Sequence, residues 1–256
     1  MNAVPGDAAV MLRELADEYE SAEFIENDPS RFMHEAEGDA NREAVAFTAS
    51  CLSFGARAQF MPKIASIIGK AGGDVARWIG EGRYVKDFAK GDMECFYRFY
   101  TRSDMRGFFD EYRRVIRESG SLGERLRAIA KGGRMTGLEA VNAISAIFKT
   151  PLVASSKQSC RKRICMFLRW MVRGGSPVDL GLWEDFIDRR TLVMPLDTHV
   201  IAQSVKFGLA DGKCASMAAA VRLTRKAAEI FPDDPLKADF ALFGAGTSGR
   251  AFVVMG

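Results

Sequence analysis

The feature that most constrains this chain is its hydrophobic period. Apolar residues return every three to four positions through most of the 256 residues, and two-residue alternation is scarce. Such a chain can bury stripes but not pleated faces, which predicts an all-α fold. Val10, Leu12, Leu15 and Ala16 mark a first helix over 8–19. Asp39 stands where it would cap a helix over 40–52, with Glu43 supporting its first turn. Further helices are expected over 58–68, 103–119, 138–148, 159–172, 198–207, 215–230 and 236–243. Gly69, Gly120, Pro151, the Gly174-Gly175 pair and Gly208 act as stops. Thr191-Leu192-Val193-Met194 is the main strand-like run, and it is too short to found a sheet. Residues 179–187 read as a loop that turns Leu180, Leu182 and Trp183 back toward the core.

The apolar fraction of 48% is ordinary for a globular protein. No apolar run approaches the roughly 20 residues that span a bilayer. The opening Met1-Asn2-Ala3-Val4-Pro5-Gly6-Asp7 lacks the basic start and apolar stretch of a signal peptide. These features predict a cytoplasmic protein with no membrane partner. Five cysteines, at 51, 95, 160, 165 and 214, form no CxxC pair, and His34 and His199 are the two histidines. That argues against a zinc ribbon or a four-cysteine cluster and for reduced, packing thiols. A facial triad of Asp197 with the two histidines is not favoured by their spacing, so no metal or cofactor is expected.

Net charge is only +3, but its distribution is uneven. Lys157, Arg161, Lys162, Arg163, Arg169 and Arg173 follow one another with no acidic residue between them. Six cations in one helical segment form an electrostatic footprint that a phosphate backbone favours. The alternative is a solvated face whose charges pair with acids elsewhere.

Two residues carry the chemistry. Lys162 falls in the opening turns of the expected 159–172 helix, where the helix dipole and its two arginine neighbours disfavour the ammonium form; that is the direction a nucleophilic amine requires. Asp197, in Pro195-Leu196-Asp197-Thr198-His199-Val200, is placed to cap the next helix and to keep an ionised carboxylate at its start. Such a carboxylate can stabilise a developing oxocarbenium ion or activate a nucleophile. His199 buttresses that turn, and His34 sits in a turn that lines a site. Phe96, Tyr97, Phe99 and Tyr100, with Arg98 and Arg102 among them, read either as a base-stacking cluster or as core with snorkelling arginines.

These motifs together are informative. Leu168-Arg169-Trp170-Met171-Val172-Arg173, then Asp179-Leu180-Gly181-Leu182-Trp183, then Pro195 to Val200, with Asp28-Pro29, His34 and the stretch from Asp234 to Phe243, identify the chain as a member of an uncharacterised bacterial family. One step further out, it resembles the helix-hairpin-helix (HhH-GPD) DNA glycosylases. The resemblance implies a two-lobed helical fold within one domain over 1–256. Its central lobe would span 39–150 and its second lobe 1–38 with 151–256, the first and last helices packed together and a cleft between the lobes. It implies base excision with AP-lyase activity, Lys162 forming a Schiff base with the sugar of a flipped nucleotide and Asp197 assisting. DNA contacts would come from Lys157, Arg161 and Arg163 and from a loop at Gly55 and Arg57. His34, Phe96, Tyr97, His199 and Asp239 would line the base pocket. The superfamily's Gly-hydrophobic-Gly hairpin is absent from 151–159, where Ser155, Ser156 and Lys157 take its place. The long interval from Lys162 to Asp197 is nearest to the archaeal 8-oxoguanine glycosylase branch, which favours an oxidised purine in duplex DNA. The expectation is thus a monomeric, nucleoid-associated repair enzyme. Two other readings stand beside it: a non-catalytic nucleic-acid-binding protein that kept the fold, and a nucleoside or nucleotide hydrolase.

Overall fold

The computed structural model describes residues 6–153, 159–212 and 214–248. In chain order these carry α1 (Gly6–Tyr19), α2 (Glu23–Glu26), α3 (Arg31–His34), α4 (Asp39–Leu52), α5 (Arg57–Ala71) and α6 (Val75–Glu81). A short hairpin, β1 (Cys95–Tyr97) and β2 (Tyr100–Thr101), leads into α7 (Arg102–Ser119) and α8 (Leu122–Ala130). There follow β3 (Met135–Thr136), α9 (Gly137–Ile147), α10 (Lys162–Val172), β4 (Ile187–Asp188), α11 (Thr198–Lys206), α12 (Met217–Ala228) and α13 (Lys237–Thr247). Helix accounts for 62% of the structure, so the protein is all-α. Among the described residues the strands are fragments: β1 pairs antiparallel with β2, and β3 parallel with β4.

The chain divides into two compact units. Of the described residues, the first holds 6–26, 135–141, 159–212 and 214–248; the second holds 27–134 and 142–153. The family resemblance had drawn the lines at 39 and 150.

The second unit is built on an aromatic core. α7 opens on a reciprocal cap, Asp104 N–H donating to Thr101 Oγ1 at 3.1 Å and Thr101 N–H to Asp104 Oδ2 at 2.8 Å. Its buried stripe of Met105, Phe108, Phe109, Tyr112 and Val115 has the helical period the sequence shows. Phe47 of α4 lies between Phe108, Tyr112 and Phe148, at 4.8–5.7 Å between ring centroids. Two expectations need correction here. Asp39 is the first helical residue of α4, capped by Gly38, and reaches Arg42 at 3.6 Å. Glu43 does not support that first turn. It is 4% exposed and accepts the N–H groups of Leu122 and Gly123 at 2.7 and 2.9 Å, closing the start of α8 from 79 residues away. Burial raises its carboxyl against the pull of those two amides. The expected helices omit α6 and α8, whose local signals are the capping side chains of Asp74 and Ser121, which accept the Arg77 and Glu124 N–H groups.

The first unit is organised around α13. α1 packs along it, burying Ala8, Leu12, Leu15 and Ala16. The approach requires glycine: a Cβ on Gly244 would lie 2.2 Å from the Tyr19 ring. α11 packs against α13 as well. Residues 192–196 are buried but pair with no strand; Met194 N–H donates instead to Thr224 Oγ1 of α12 at 2.9 Å. The strand-like run Thr191–Met194 founds no sheet, and the Met194 N–H is satisfied by a side chain. Among the described residues no helix is long and apolar enough to cross a membrane.

Candidate functional site

Lys162 and Asp197 meet at two helix starts of the first unit. α10 begins at Lys162 itself, later than the sequence places it, because Arg161 has a left-handed backbone (φ 48°) through which a right-handed helix cannot run. Asp197 is the N-cap of α11, its Oδ1 accepting the Val200 N–H at 2.9 Å. Its other oxygen stands 3.6 Å from Lys162 Nζ. One carboxylate is thus both cap and counter-ion. The two side chains are 29% and 18% exposed, so the pair is shielded yet reachable. Cys160 Sγ donates to the Leu196 carbonyl at 3.6 Å, fastening together the segments that deliver the two residues.

α13 contributes a second carboxylate. Asp239 is 4% exposed and bound to Arg169 Nη1. Lys162, Cys165 and Arg169, spaced three and four apart, form one stripe of α10, and Asp239 lies against it. Burial pushes the Asp239 carboxyl up to about 6, Arg169 opposing and the charge of Asp197 adding to the rise. Burial likewise raises the Cys165 thiol well above its ordinary range. Asp239 is therefore an ion-pair partner inside the unit, not a group open to a base as the sequence expectation had it.

The charge chain continues inward. Arg169 Nε donates to Asp179 Oδ1 at 3.2 Å, and Asp179 also accepts from Arg173. Arg173 further binds Asp234 at 2.8–3.1 Å and Glu20 at 2.7 Å. The ring of Phe240 lies 4.3 and 5.2 Å from the two guanidinium centres. The loop that supplies Asp179 closes the end of α10 with its own backbone: Leu180 and Trp183 N–H groups donate to the carbonyls of Trp170 and Met171, each at 2.7 Å. The motif Asp179-Leu180-Gly181-Leu182-Trp183 is thus a C-terminal cap that carries a bridging acid.

This overturns part of the footprint expected over 157–173. Arg161, Arg169 and Arg173 are 7%, 4% and 1% exposed, so their guanidiniums do not face solvent as phosphate contacts would. Two arginines four apart fall on the apolar face of an amphipathic helix, and there buried acids neutralise them. Within the described part of the segment, Lys162 and Arg163 stay partly exposed. Ser155, Ser156 and Lys157 lie outside the described residues.

The remaining candidates divide between the units. His199 is exposed and pinned by Nδ1 to the Gly246 carbonyl at 3.0 Å, joining α11 to α13 as a buttress. In the second unit, His34, Gly55 and Arg57 are exposed, with Arg57 4.0 Å from Asp28. Phe96 and Tyr97, expected in a base pocket, are 9% and 4% exposed. Phe96 packs on Phe88 and Tyr97 on Phe54, so neither ring has a face open to a base. Among the described residues no group of three or more His, Cys, Asp or Glu side chains is placed to hold a metal ion.

Residues 28–248 match the model of a family described as a protein of unknown function (DUF2400), and the chain belongs to that family. No curated protein and no solved structure matches the chain.

Proposed function

We propose that this member of the DUF2400 family is a DNA base-excision glycosylase with AP-lyase activity, acting on an oxidised purine. The observation that carries the proposal is the pairing of Lys162 with Asp197, an amine and a carboxylate presented 3.6 Å apart from two helix starts. The resemblance of the same two positions to the lysine and aspartate of the helix-hairpin-helix glycosylases supports it, as does the interval between them for the purine.

The chemistry follows from the pair. Lys162 passes a proton to Asp197, and its lone pair bonds to C1′ of a flipped nucleotide as the N-glycosidic bond breaks. The base departs with the bonding electrons and takes up a proton. Opening of the sugar ring leaves an imine between Nζ and C1′. Loss of the C2′ proton and of the 3′-phosphate then completes strand cleavage. Asp197 gives the departing base the proton it took from Lys162, and the carboxylate so restored stabilises the positive charge left on the sugar.

The test is borohydride trapping on duplexes that each carry one lesion, 8-oxoguanine and an abasic site among them. Wild type forms a covalent adduct, and Lys162→Ala forms none. Asp197→Asn slows trapping by on the order of 10²–10⁴-fold. Adduct formation by Lys162→Ala at the wild-type rate overturns the assignment.

One observation favours a second reading, a nucleic-acid-binding protein without this chemistry. Arg169, Arg173, Asp179, Asp234 and Asp239 are one another's partners, so a structural role accounts for much of the family motif. DNA binding with neither an adduct nor base release on any duplex selects that reading; base release without an adduct points to a glycosylase that lacks lyase chemistry.

A further inference from the structure

The second unit carries a feature that the pairing of Lys162 with Asp197 does not use. β1 and β2 are joined by Arg98 and Phe99, and the Phe99 ring projects at 68% exposure. Among the large exposed apolar side chains of the described residues, it is the one aromatic ring. Arg98 beside it has a left-handed backbone, φ 54°, which costs a residue with a Cβ about 1–2 kcal/mol. The turn is held despite that cost.

What holds it is the connection between α4 and α5, residues 53–56. Phe54 sits under the hairpin tip, its ring 5.4 Å from Phe99, 5.4 Å from Tyr100 and 4.9 Å from Tyr97. Phe99 itself stands edge-on to Tyr100 at 4.6 Å. The Tyr97 hydroxyl donates to the Phe54 carbonyl. The Arg98 guanidinium lies 5.8 Å from the Phe54 ring centre and fills the space above Gly55, where a Cβ would come within 2.7 Å of it. Gly55 has φ +81°, so both its backbone and its missing side chain serve the contact. Two segments more than 40 residues apart therefore lock one exposed ring and one exposed cation into a fixed arrangement.

We infer that Phe99 and Arg98 form a stacking platform for an unpaired nucleobase, Phe99 supplying the ring face and Arg98 binding the adjacent phosphate. Three observations favour a base over a protein surface. Phe99 is the one exposed aromatic ring among the described residues and its exposed chain neighbour is Arg98, whereas a stable protein interface needs about 800 Å² from each side. A base covers one ring. The cation at its side lies against Phe54, and among the described residues no carboxylate stands within ion-pair distance of it, which suits a phosphate. The ring is already ordered by its aromatic backing, so stacking loses little side-chain freedom. The inference shares a nucleic-acid partner with the proposed function and none of its chemistry. Of the four rings read together as a stacking cluster, it keeps the role for Phe99 and removes it from the buried Phe96, Tyr97 and Tyr100.

The experiment is fluorescence anisotropy with a labelled single strand and with a duplex carrying one abasic site, each at two salt concentrations. Phe99→Ala, whose fold is checked by thermal melting, loses about 5- to 100-fold in affinity with an unchanged salt slope. Phe99→Trp keeps or tightens binding. Arg98→Gly, compatible with the left-handed turn, lowers the salt slope by about 1. Wild-type affinity in Phe99→Ala at both salts overturns the inference and leaves the glycosylase proposal standing if trapping succeeds. Binding that depends on Phe99 without any adduct does the reverse. Absence of wild-type binding to either probe overturns the inference, and the trapping experiment alone then decides the glycosylase proposal.

Discussion

At the scale of single residues, Asp239 is the most informative group. Its carboxyl rises from an ordinary 3.8 to about 6, chiefly through burial. The sign follows from linkage. The folded state holds this proton more tightly than the unfolded chain does, so the group's contribution to stability falls as pH rises from about 4 through 6. Glu43 acts in the same direction. Asp239→Asn removes the titration and leaves Arg169 its second partner, Asp179. Urea unfolding of both proteins between pH 4 and 7 is expected to show the variant gaining on wild type by on the order of 2–3 kcal/mol across that window. Parallel curves would mean that the carboxyl titrates as it does in the unfolded chain.

At the scale of elements, the start of α11 and the end of α10 separate structure from chemistry. Asparagine caps a helix about as well as aspartate, so Asp197→Asn should melt close to wild type while losing its counter-charge to Lys162. Asp197→Ala loses the cap too and costs about 1 kcal/mol more. If the two variants prove equally unstable, Asp197 stabilises the fold through its charge and not through its cap. The far end of α10 depends on Arg173, which is 1% exposed among Asp179, Asp234 and Glu20. Arg173→Met leaves three acids without their common cation and is expected to cost about 3–5 kcal/mol in chemical denaturation. A cost below 1 kcal/mol would show that solvent already screens the cluster.

At the scale of the whole molecule, net charge and its placement are different quantities. A footprint of six cations would give a salt slope of about −5 for binding to duplex DNA. With Arg161, Arg169 and Arg173 buried, the segment can contribute roughly half of that. Arg163→Gln should therefore lower the slope by about 1, and Arg173→Met, measured where it remains folded, should not change it. Equal effects on the slope would place Arg173 at the surface on binding.

The sequence by itself determined the helical architecture, the α7 stripe and the cap at Asp197. These depend on residues within a turn or two of one another, where 3.6-residue geometry and short side chains leave few alternatives. Tertiary structure decided which cations face water and which ring is exposed. A helical stripe shows that Arg169 and Arg173 share a face, but beside Asp179 the acids that draw them inside are distant: Asp239 is 70 residues from Arg169, and Asp234 and Glu20 are 61 and 153 residues from Arg173. Likewise Phe96, Tyr97 and Phe99 look alike along the chain. The left-handed turn at Arg98 and its support on Phe54 and Gly55 send one ring outward and the others into the core. Burial of a charge or a ring is settled by the full set of partners that offset its desolvation, and most of these lie far along the chain.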